Sequence, residues 1–106
     1  MKNNLVEIFK VLGNETRLDM LMWLKDPINY FDKPTAHLSK NISEKGGVCV
    51  GDLQERAGLS QSTTSHYLSM LERIGLLESE RHGKWTYYRR NEKKIAEVAD
   101  LIKKEL

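Results

Sequence analysis

Short polar side chains are concentrated in residues 60–69 of this chain, where they could form hydrogen bonds with the edges of nucleotide bases. Apolar residues recur at helical spacing from Leu68 to Ile74, and the polar side chains fall outside that apolar stripe. In a helix that lies in the major groove of duplex DNA, the polar side chains of the first two turns are the ones that reach base edges. The predicted DNA-contacting residues of this segment are Ser60, Gln61, Ser62, Thr63, Ser65, His66 and Ser69.

The residues around this segment can position it as the second helix of a helix-turn-helix. Residues 50–57 and 61–74 are the predicted helix pair, and Gly58 between them can take the positive φ of a tight turn. Ser60 is suited to cap the second helix, because its hydroxyl can accept a hydrogen bond from a backbone N–H two or three residues later. Gly75 stands where a helix ends in a left-handed residue. The alternative, a surface helix rich in Ser and Thr, does not account for the preceding helix and turn.

Basic residues cluster in a predicted hairpin over residues 76–90, directly after the helix pair. A predicted two-residue turn at His82-Gly83 brings Arg81, His82 and Lys84 to the hairpin tip. Between residues 81 and 94 there are six Lys or Arg residues and one Glu. Such a patch can pair with phosphates, so Arg81, His82 and Lys84 join the predicted DNA-contacting set. For the hairpin alone, a basic edge that prevents aggregation is an equal alternative, whereas its position beside the helix pair favours DNA.

Hydrophobic patterns predict further helices towards both ends of the chain. A first amphipathic helix ends at Gly13, and Asn14 caps a second helix that Pro27 stops. Asn91 caps a last helix that runs to Leu106. The predicted buried residues of the second helix are Leu18, Leu21, Met22 and Leu24, with Trp23 near the edge.

These elements together predict one domain over residues 1–106, a winged helix-turn-helix that binds DNA. Its class is mainly α with a small β-hairpin (α+β), with about five helices and a two-stranded wing. Residues 26–47 form a long connector, which we expect to be a surface loop with one helical turn near 36–42 and apolar residues that cover the core. The alternatives for the connector are a cap over a small-molecule pocket or a surface that docks a partner.

The first and last helices carry more apolar residues than a core of this size requires, so we expect them to pair in a homodimer. A two-fold dimer would place two recognition helices about one DNA turn, ~34 Å, apart on a pseudo-palindrome. The alternative is that both helices complete the core of a monomer. The predicted dimer-interface residues are Leu5, Ile8, Phe9, Leu12, Val98, Leu101 and Ile102.

Composition restricts the classes of function. The net charge of +2 is modest, so the local clustering of basic residues carries the prediction of double-stranded DNA as partner. The single cysteine excludes an intramolecular disulfide and fits a reducing cytoplasm, the expected location. The N-terminus has no apolar signal segment and no stretch is long enough to span a membrane. There is no Gly-rich phosphate loop, Ser/His/Asp arrangement or paired-carboxylate cleft, so we expect neither an enzyme nor a cofactor.

Residues 9–18, 48–53, 59–68 and 81–88 together carry a family pattern that covers nearly the whole chain. Their segments include Phe-Lys-Val-Leu-Gly-Asn-Glu-Thr-Arg-Leu and Leu-Ser-Gln-Ser-Thr-Thr-Ser-His-Tyr-Leu, and the last range looks like the family's wing. The chain resembles the ArsR/SmtB family of bacterial winged-helix regulators. The resemblance implies a homodimeric repressor with terminal helices at the dimer interface, which leaves DNA when an effector binds.

The chain departs from this family at the metal ligands that the resemblance implies. Cys49 matches the first of two cysteines near the third helix of metal-sensing relatives, but Gly51 stands at the second position. The other family site uses Asp and His on the last helix, where this chain has Asp100 and no His after His82. One thiolate cannot build a soft-metal site alone, so we expect no metal site within one protomer, and a site shared between protomers is the alternative.

The effector is therefore open, and so are two alternatives for the chain as a whole. Cys49 precedes the helix-turn-helix, so its oxidation could tilt that unit in a thiol-redox-sensing regulator, whereas a buried core cysteine is the favoured interpretation. A winged-helix module for protein interaction would need an apolar second helix, in contrast to the polar one here. Thr64 replaces an apolar residue common in the family, and its hydroxyl can bond back to the helix carbonyls.

Overall fold

The elements follow one another in the predicted order in a computed structural model that describes residues 2–31 and 46–106. The helices are α1 (Lys2–Leu12), α2 (Glu15–Lys25), α3 (Pro27–Tyr30), α4 (Val50–Ala57), α5 (Gln61–Arg73) and α6 (Glu92–Glu105). The strands are β1 (Val48–Cys49), β2 (Leu77–His82) and β3 (Trp85–Arg90). The mainly helical winged architecture is confirmed, and the described ranges add a sixth helix, α3, and a third strand, β1. Within those ranges, no helix has the length and apolar character needed to cross a membrane.

Three helices begin at the predicted caps. The side-chain oxygens of Asn14, Ser60 and Asn91 accept hydrogen bonds from the backbone N–H three residues later, at 2.9, 3.1 and 3.0 Å. Each bond satisfies one N–H group that a helix N-terminus leaves without an intrahelical acceptor. Gly58 and Gly75, at the ends of α4 and α5, have φ of +68° and +85°, which confirms the predicted left-handed turns.

The core lies where α2, α4, α5 and the sheet meet. Three of its fully buried residues, Thr64, Leu68 and Leu71, belong to α5, so one whole face of that helix is inside the protein. The Thr64 hydroxyl donates to the carbonyl oxygen of Ser60 at 2.8 Å, as predicted, which satisfies its hydrogen-bonding group in the core. The other fully buried residues are Met20, Val48, Leu53 and Leu76.

The buried face of α2 differs from the predicted one. Leu21 and Leu24 are buried as expected, but Leu18 and Met22 are 42% and 52% exposed and Met20 is fully buried. The helix turns about 100° per residue, so a face centred on Met20, Leu21 and Leu24 places Leu18 and Met22 on the opposite side. The prediction for these two residues was wrong because α2 carries apolar residues on both faces.

The wing is part of a three-stranded antiparallel sheet in the order β1-β3-β2. The last pair of the hairpin is His82 with Trp85, so the two turn residues are Gly83 and Lys84. The predicted turn at His82-Gly83 was therefore wrong by one residue. Gly83 has φ of +62°, as the first central residue of a type II′ hairpin turn requires, and this position favours glycine.

The start of the connector is helical, because Pro27 occupies the first turn of the short helix α3. A proline there loses no hydrogen bond, since its missing N–H would have no intrahelical acceptor. Arg56 of α4 fixes this turn: its guanidinium lies 5.3 Å from the ring centroids of both Trp23 and Tyr30 and donates to the Tyr30 carbonyl oxygen at 3.2 Å. The helical turn predicted near 36–42 lies outside the described residues.

Cys49 is a core residue of β1 with only 2% of its surface exposed. Burial raises the pKa of its thiol above the ordinary value, against the opposing effect of the backbone N–H of Asp52. A reactive cysteine needs exposure and a lowered pKa. The environment of Cys49 therefore has the opposite character from that of a reactive thiol.

Candidate nucleic-acid interface

The start of α5 holds its cap residues in a local hydrogen-bond network. The Ser60 hydroxyl accepts from the backbone N–H of Thr63 at 3.1 Å and donates to the Thr63 hydroxyl at 2.9 Å. The Ser62 hydroxyl lies 3.3 Å from that of Ser60. Two of the predicted contact residues, Ser60 and Thr63, thus use their hydroxyls to build the helix end, which orders the side chains around it.

The exposed edge of α5 is formed by the other predicted residues. Gln61, Ser62 and His66 are exposed, and Ser65 and Ser69 are half-buried. No side-chain hydrogen bond joins Gln61 or His66 to any other described residue, so their donors and acceptors face solvent. Side chains of this kind can bind base edges: Gln can pair with adenine through two hydrogen bonds, and Ser with several bases.

A cation from α2 fixes the orientation of α5. The Arg17 guanidinium lies 4.8 Å from the centroid of the Tyr67 ring on α5. Its Nε donates to the carbonyl oxygen of Val11 at 2.6 Å, in the last turn of α1. Arg17 thereby joins the end of α1 to Tyr67, which flanks the buried face of α5, and also satisfies a helix-terminal carbonyl. No local sequence pattern indicates this role, because it depends on a contact between residues 50 positions apart.

A hydrogen bond joins the wing to α5. The Ser79 hydroxyl on β2 donates to the Glu72 carboxylate on the last turns of α5 at 2.6 Å. Leu76 and Leu77, at the start of the hairpin, are each 2% exposed. The wing and α5 are therefore attached to each other through both packing and a polar contact, which keeps the hairpin tip at a set position relative to the exposed edge of α5.

Two of the six basic residues counted in the sequence belong to the framework of the sheet. Arg89 donates to Glu78 at 3.1 Å and to Glu80 at 2.8 Å, and its side chain is 16% exposed. Arg90 donates to Glu92 through two nitrogens, at 2.8 and 3.1 Å, and is 11% exposed. These carboxylates neutralise both guanidinium groups, so the basic surface predicted over residues 81–94 is smaller than the count indicated.

The hairpin tip keeps its exposed cations. Arg81 and Lys84 are exposed, and the Arg81 Nε donates to the carbonyl oxygen of Gly83 at 3.0 Å. His82, the third predicted residue, lies 2.7 Å from a carboxylate oxygen of Glu80. Trp85 is 48% exposed, and the Lys84 ammonium lies 5.4 Å from its ring centroid. Trp85 was predicted only as a strand residue, although an aromatic side chain next to a basic turn is a sequence signal for a surface contact.

The predicted dimer-interface residues fall into two groups. Leu5, Ile8 and Val98 are buried within a single chain, with 6%, 3% and 9% of their surfaces exposed. Phe9 is 45% exposed. Val6, which was not among the predicted interface residues, is 42% exposed. The remaining three, Leu12, Leu101 and Ile102, are half-buried. The first group thus serves the core of one chain, as the monomer alternative expected, and the second leaves apolar surface on α1 and α6.

The residues present do not fit the metal sites that the family resemblance implies. Gly51 supplies no ligand beside Cys49, and α6 contains no histidine. No group of three His, Cys, Asp or Glu side chains within residues 2–31 and 46–106 lies close enough to hold a metal ion. His37 lies outside the described residues.

Solved structures share this fold. An ArsR-like transcriptional regulator from Rhodococcus sp. RHA1 has a TM-score of 0.68 at 20% identity, over 97% of this chain and 79% of that one. The solution structure of a homodimeric winged helix-turn-helix DNA-binding domain from Mycobacterium bovis, a possible ArsR-family regulator, has a TM-score of 0.64 at 24% identity. That match covers 93% of this chain and 75% of the other. At these identities the likeness shows the fold.

Sequence relatives show the family. The model described as "Bacterial regulatory protein, arsR family" matches residues 42–79. The uncharacterized HTH-type transcriptional regulator YbzH of Bacillus subtilis (strain 168) is 44% identical over 101 residues, which is 95% of this chain and 97% of that protein. The arsenical resistance operon repressor of the same strain is 32% identical over 71% of this chain and 69% of its own length. The chain therefore belongs to the arsR family of bacterial regulatory proteins and is a DNA-binding transcriptional regulator with a winged helix-turn-helix.

Proposed function

We propose that this regulator is a homodimeric repressor that binds a pseudo-palindromic operator through α5 and the wing. The observation that carries the proposal is the division of α5 into two sides, with Ser62 and His66 exposed on one and Leu68 and Leu71 fully buried on the other. Gln61 is exposed at the first position of the helix. Base edges in the major groove offer the donors and acceptors that the polar side can bind. The exposed cations of the wing tip offer partners for phosphates.

The homodimer is supported by apolar surface that one chain leaves uncovered. Phe9 and Val6 on α1 are nearly half exposed, and Leu101 on α6 is only half-buried. Pairing of these helices across a two-fold axis would cover this surface and place the two α5 helices ~34 Å apart, on successive major grooves. The Mycobacterium bovis domain is a homodimer, and the relative of Bacillus subtilis (strain 168) that is 32% identical is the arsenical resistance operon repressor.

The proposed effector is not a metal bound within one protomer. The residues around Cys49 and on α6 do not include the metal ligands of either family site. The burial of Cys49 and the raised pKa of its thiol also disfavour a thiol sensor. The proposal therefore leaves a non-metal ligand, or regulation by protein concentration alone, as the means of release.

Addition of zinc or arsenite is expected to leave the DNA affinity of the dimer unchanged, because one thiolate per chain cannot complete a three-ligand site. Fluorescence anisotropy of a labelled duplex, measured with and without each metal, checks this expectation. The Cys49→Ser variant is the control. A loss of affinity in the parent protein that this variant abolishes would contradict the proposal and indicate a site shared between protomers.

Substitution of Gln61 or His66 by Ala is expected to reduce discrimination between operator and random DNA by ~1–3 kcal/mol, the range for a lost base contact. The operator is first obtained by selection of bound duplexes from a random pool, and affinities for both DNAs are then compared. Equal losses on the two DNAs would contradict base recognition by these residues. Thermal unfolding of each variant serves as the control for the fold.

Substitution of Arg81 or Lys84 by Ala is expected to weaken binding to operator and random DNA alike and to lower the dependence of log affinity on log salt by about one phosphate contact. The slope is measured over a series of salt concentrations. Lys25→Ala is a matched control, since Lys25 is an exposed cation at the end of α2 and is not among the proposed DNA-contacting residues. If the salt dependence of Arg81→Ala and Lys84→Ala equals that of the parent protein, the wing does not contact phosphates.

Substitution of Phe9 by Glu is expected to convert the dimer to monomer at micromolar concentration, because two charged groups would be buried at the two-fold interface. Sedimentation velocity measures the oligomeric state, and operator affinity is expected to fall with it because the two half-sites are no longer bound together. Ile28→Glu is the matched control, since Ile28 is 75% exposed on α3. A monomeric parent protein, or a dimer that survives Phe9→Glu, would contradict the proposed interface.

A further inference from the structure

We infer that Trp85 is a DNA-contacting residue, whose indole packs against deoxyribose sugars in the minor groove while Lys84 beside it pairs with a phosphate. The inference rests on the proposed function. It adds an apolar, aromatic contact to a proposed interface that otherwise consists of polar and charged side chains. Proteins that bind the minor groove frequently place apolar side chains there, most often as wedges between base steps.

The exposure of Trp85 is the first observation. With 48% of its surface exposed, Trp85 is the one large apolar residue in the described part of the sheet that the fold leaves uncovered. The neighbouring aromatic residues of β3, Tyr87 and Tyr88, are 9% and 8% exposed. An indole is among the largest apolar surfaces that a side chain offers, and Trp is enriched at binding interfaces.

The charges around Trp85 favour a polyanion over an apolar partner. The Lys84 ammonium lies 5.4 Å from the ring centroid, and Arg81 is exposed on the other strand of the tip. The carboxylate of Glu80, on the opposite strand of the hairpin, lies 2.7 Å from His82 and 2.8 Å from Arg89. Its charge is therefore balanced, and the tip presents cations around an aromatic ring.

The strand register places Trp85 and Arg81 on opposite faces of the hairpin. His82 pairs with Trp85, and Arg81 pairs with Thr86. Since directly paired residues share a face and successive residues alternate, Arg81 and Trp85 project in opposite directions. A hairpin tip in the minor groove has a sugar-phosphate wall on each side. This arrangement lets Arg81 reach one wall while Lys84 and Trp85 reach the other.

The position of the ring relative to α5 is fixed. The turn at the tip has only two residues and is therefore conformationally restricted. The Ser79–Glu72 hydrogen bond joins the hairpin to α5. An α5 helix seated in the major groove would therefore carry Trp85 to a set position along the duplex. The contact forms at the same time as the base contacts of α5 and requires no rearrangement of the wing.

Fluorescence of Trp85 tests the inference directly, because the chain contains only two tryptophans, Trp23 and Trp85. The Trp23→Phe variant of the full chain leaves Trp85 as its one indole. Quenching of its emission by acrylamide is measured with and without the selected operator duplex, while a mobility shift confirms that the complex has formed. The Trp85→Phe variant, which keeps Trp23 alone, is the matched control.

Protection of Trp85 from acrylamide by the duplex, with no change at Trp23, is the expected result. Trp85→Ala is further expected to lower affinity about tenfold, a loss within the range for one aromatic contact with nucleic acid, and Trp85→Phe to retain most of the affinity.

Unchanged quenching of Trp85 in a confirmed complex would overturn the inference and leave the proposed function standing. Protection that grows with protein concentration in the absence of DNA would also overturn it, in favour of a contact between protomers. Absence of any complex would overturn both.

Discussion

Burial of one face of α5 is the constraint on which the rest of the structure depends. Thr64, Leu68 and Leu71 are fully buried, and each leucine contributes about 1.5–3 kcal/mol when removed from water. The stacking of Arg17 on Tyr67, which flanks the buried face, restricts the same helix further. A helix held by these contacts keeps its polar edge in one orientation, which matters because hydrogen bonds to base edges tolerate little displacement.

Ion pairs divide the wing into a framework and a contact surface. Arg89 and Arg90 are largely buried, and their guanidinium groups are paired with the carboxylates of Glu78, Glu80 and Glu92. These ion pairs stabilise the fold around the base of the hairpin and contribute little to the electrostatic potential outside it. Only the cations near the turn face solvent. The local sequence therefore contains two kinds of basic residue that composition cannot separate. The strand register pairs Arg89 with Glu78, whereas Arg90 lies opposite Leu77 and binds Glu92 of α6.

The sequence predicted those features that depend on local rules. The caps at Asn14, Ser60 and Asn91 and the left-handed glycines were confirmed because each needs only a few neighbouring residues. The exposed Leu18 and Met22 of α2 were missed, since an apolar residue on both faces of a helix gives no unique buried side. The third strand β1 was missed because two residues carry no periodic pattern, and the hairpin turn was shifted by one because either position places Gly83 in the turn. The role of Arg17 depends on a tertiary contact with Tyr67 that no local pattern records.

The two-sided character of α5 has a consequence for how operator preference could diversify among related regulators. The residues that anchor the helix and those proposed to touch DNA are different side chains, so replacement of Gln61 or His66 leaves the anchoring contacts intact. Transplantation of the whole helix is different, because Glu72 near its end accepts a hydrogen bond from Ser79 on the next element. A chimera would have to carry that pair together. Substitution at the outward positions thus leaves the anchoring contacts in place, whereas exchange of the whole helix also has to preserve its contact with the following strand.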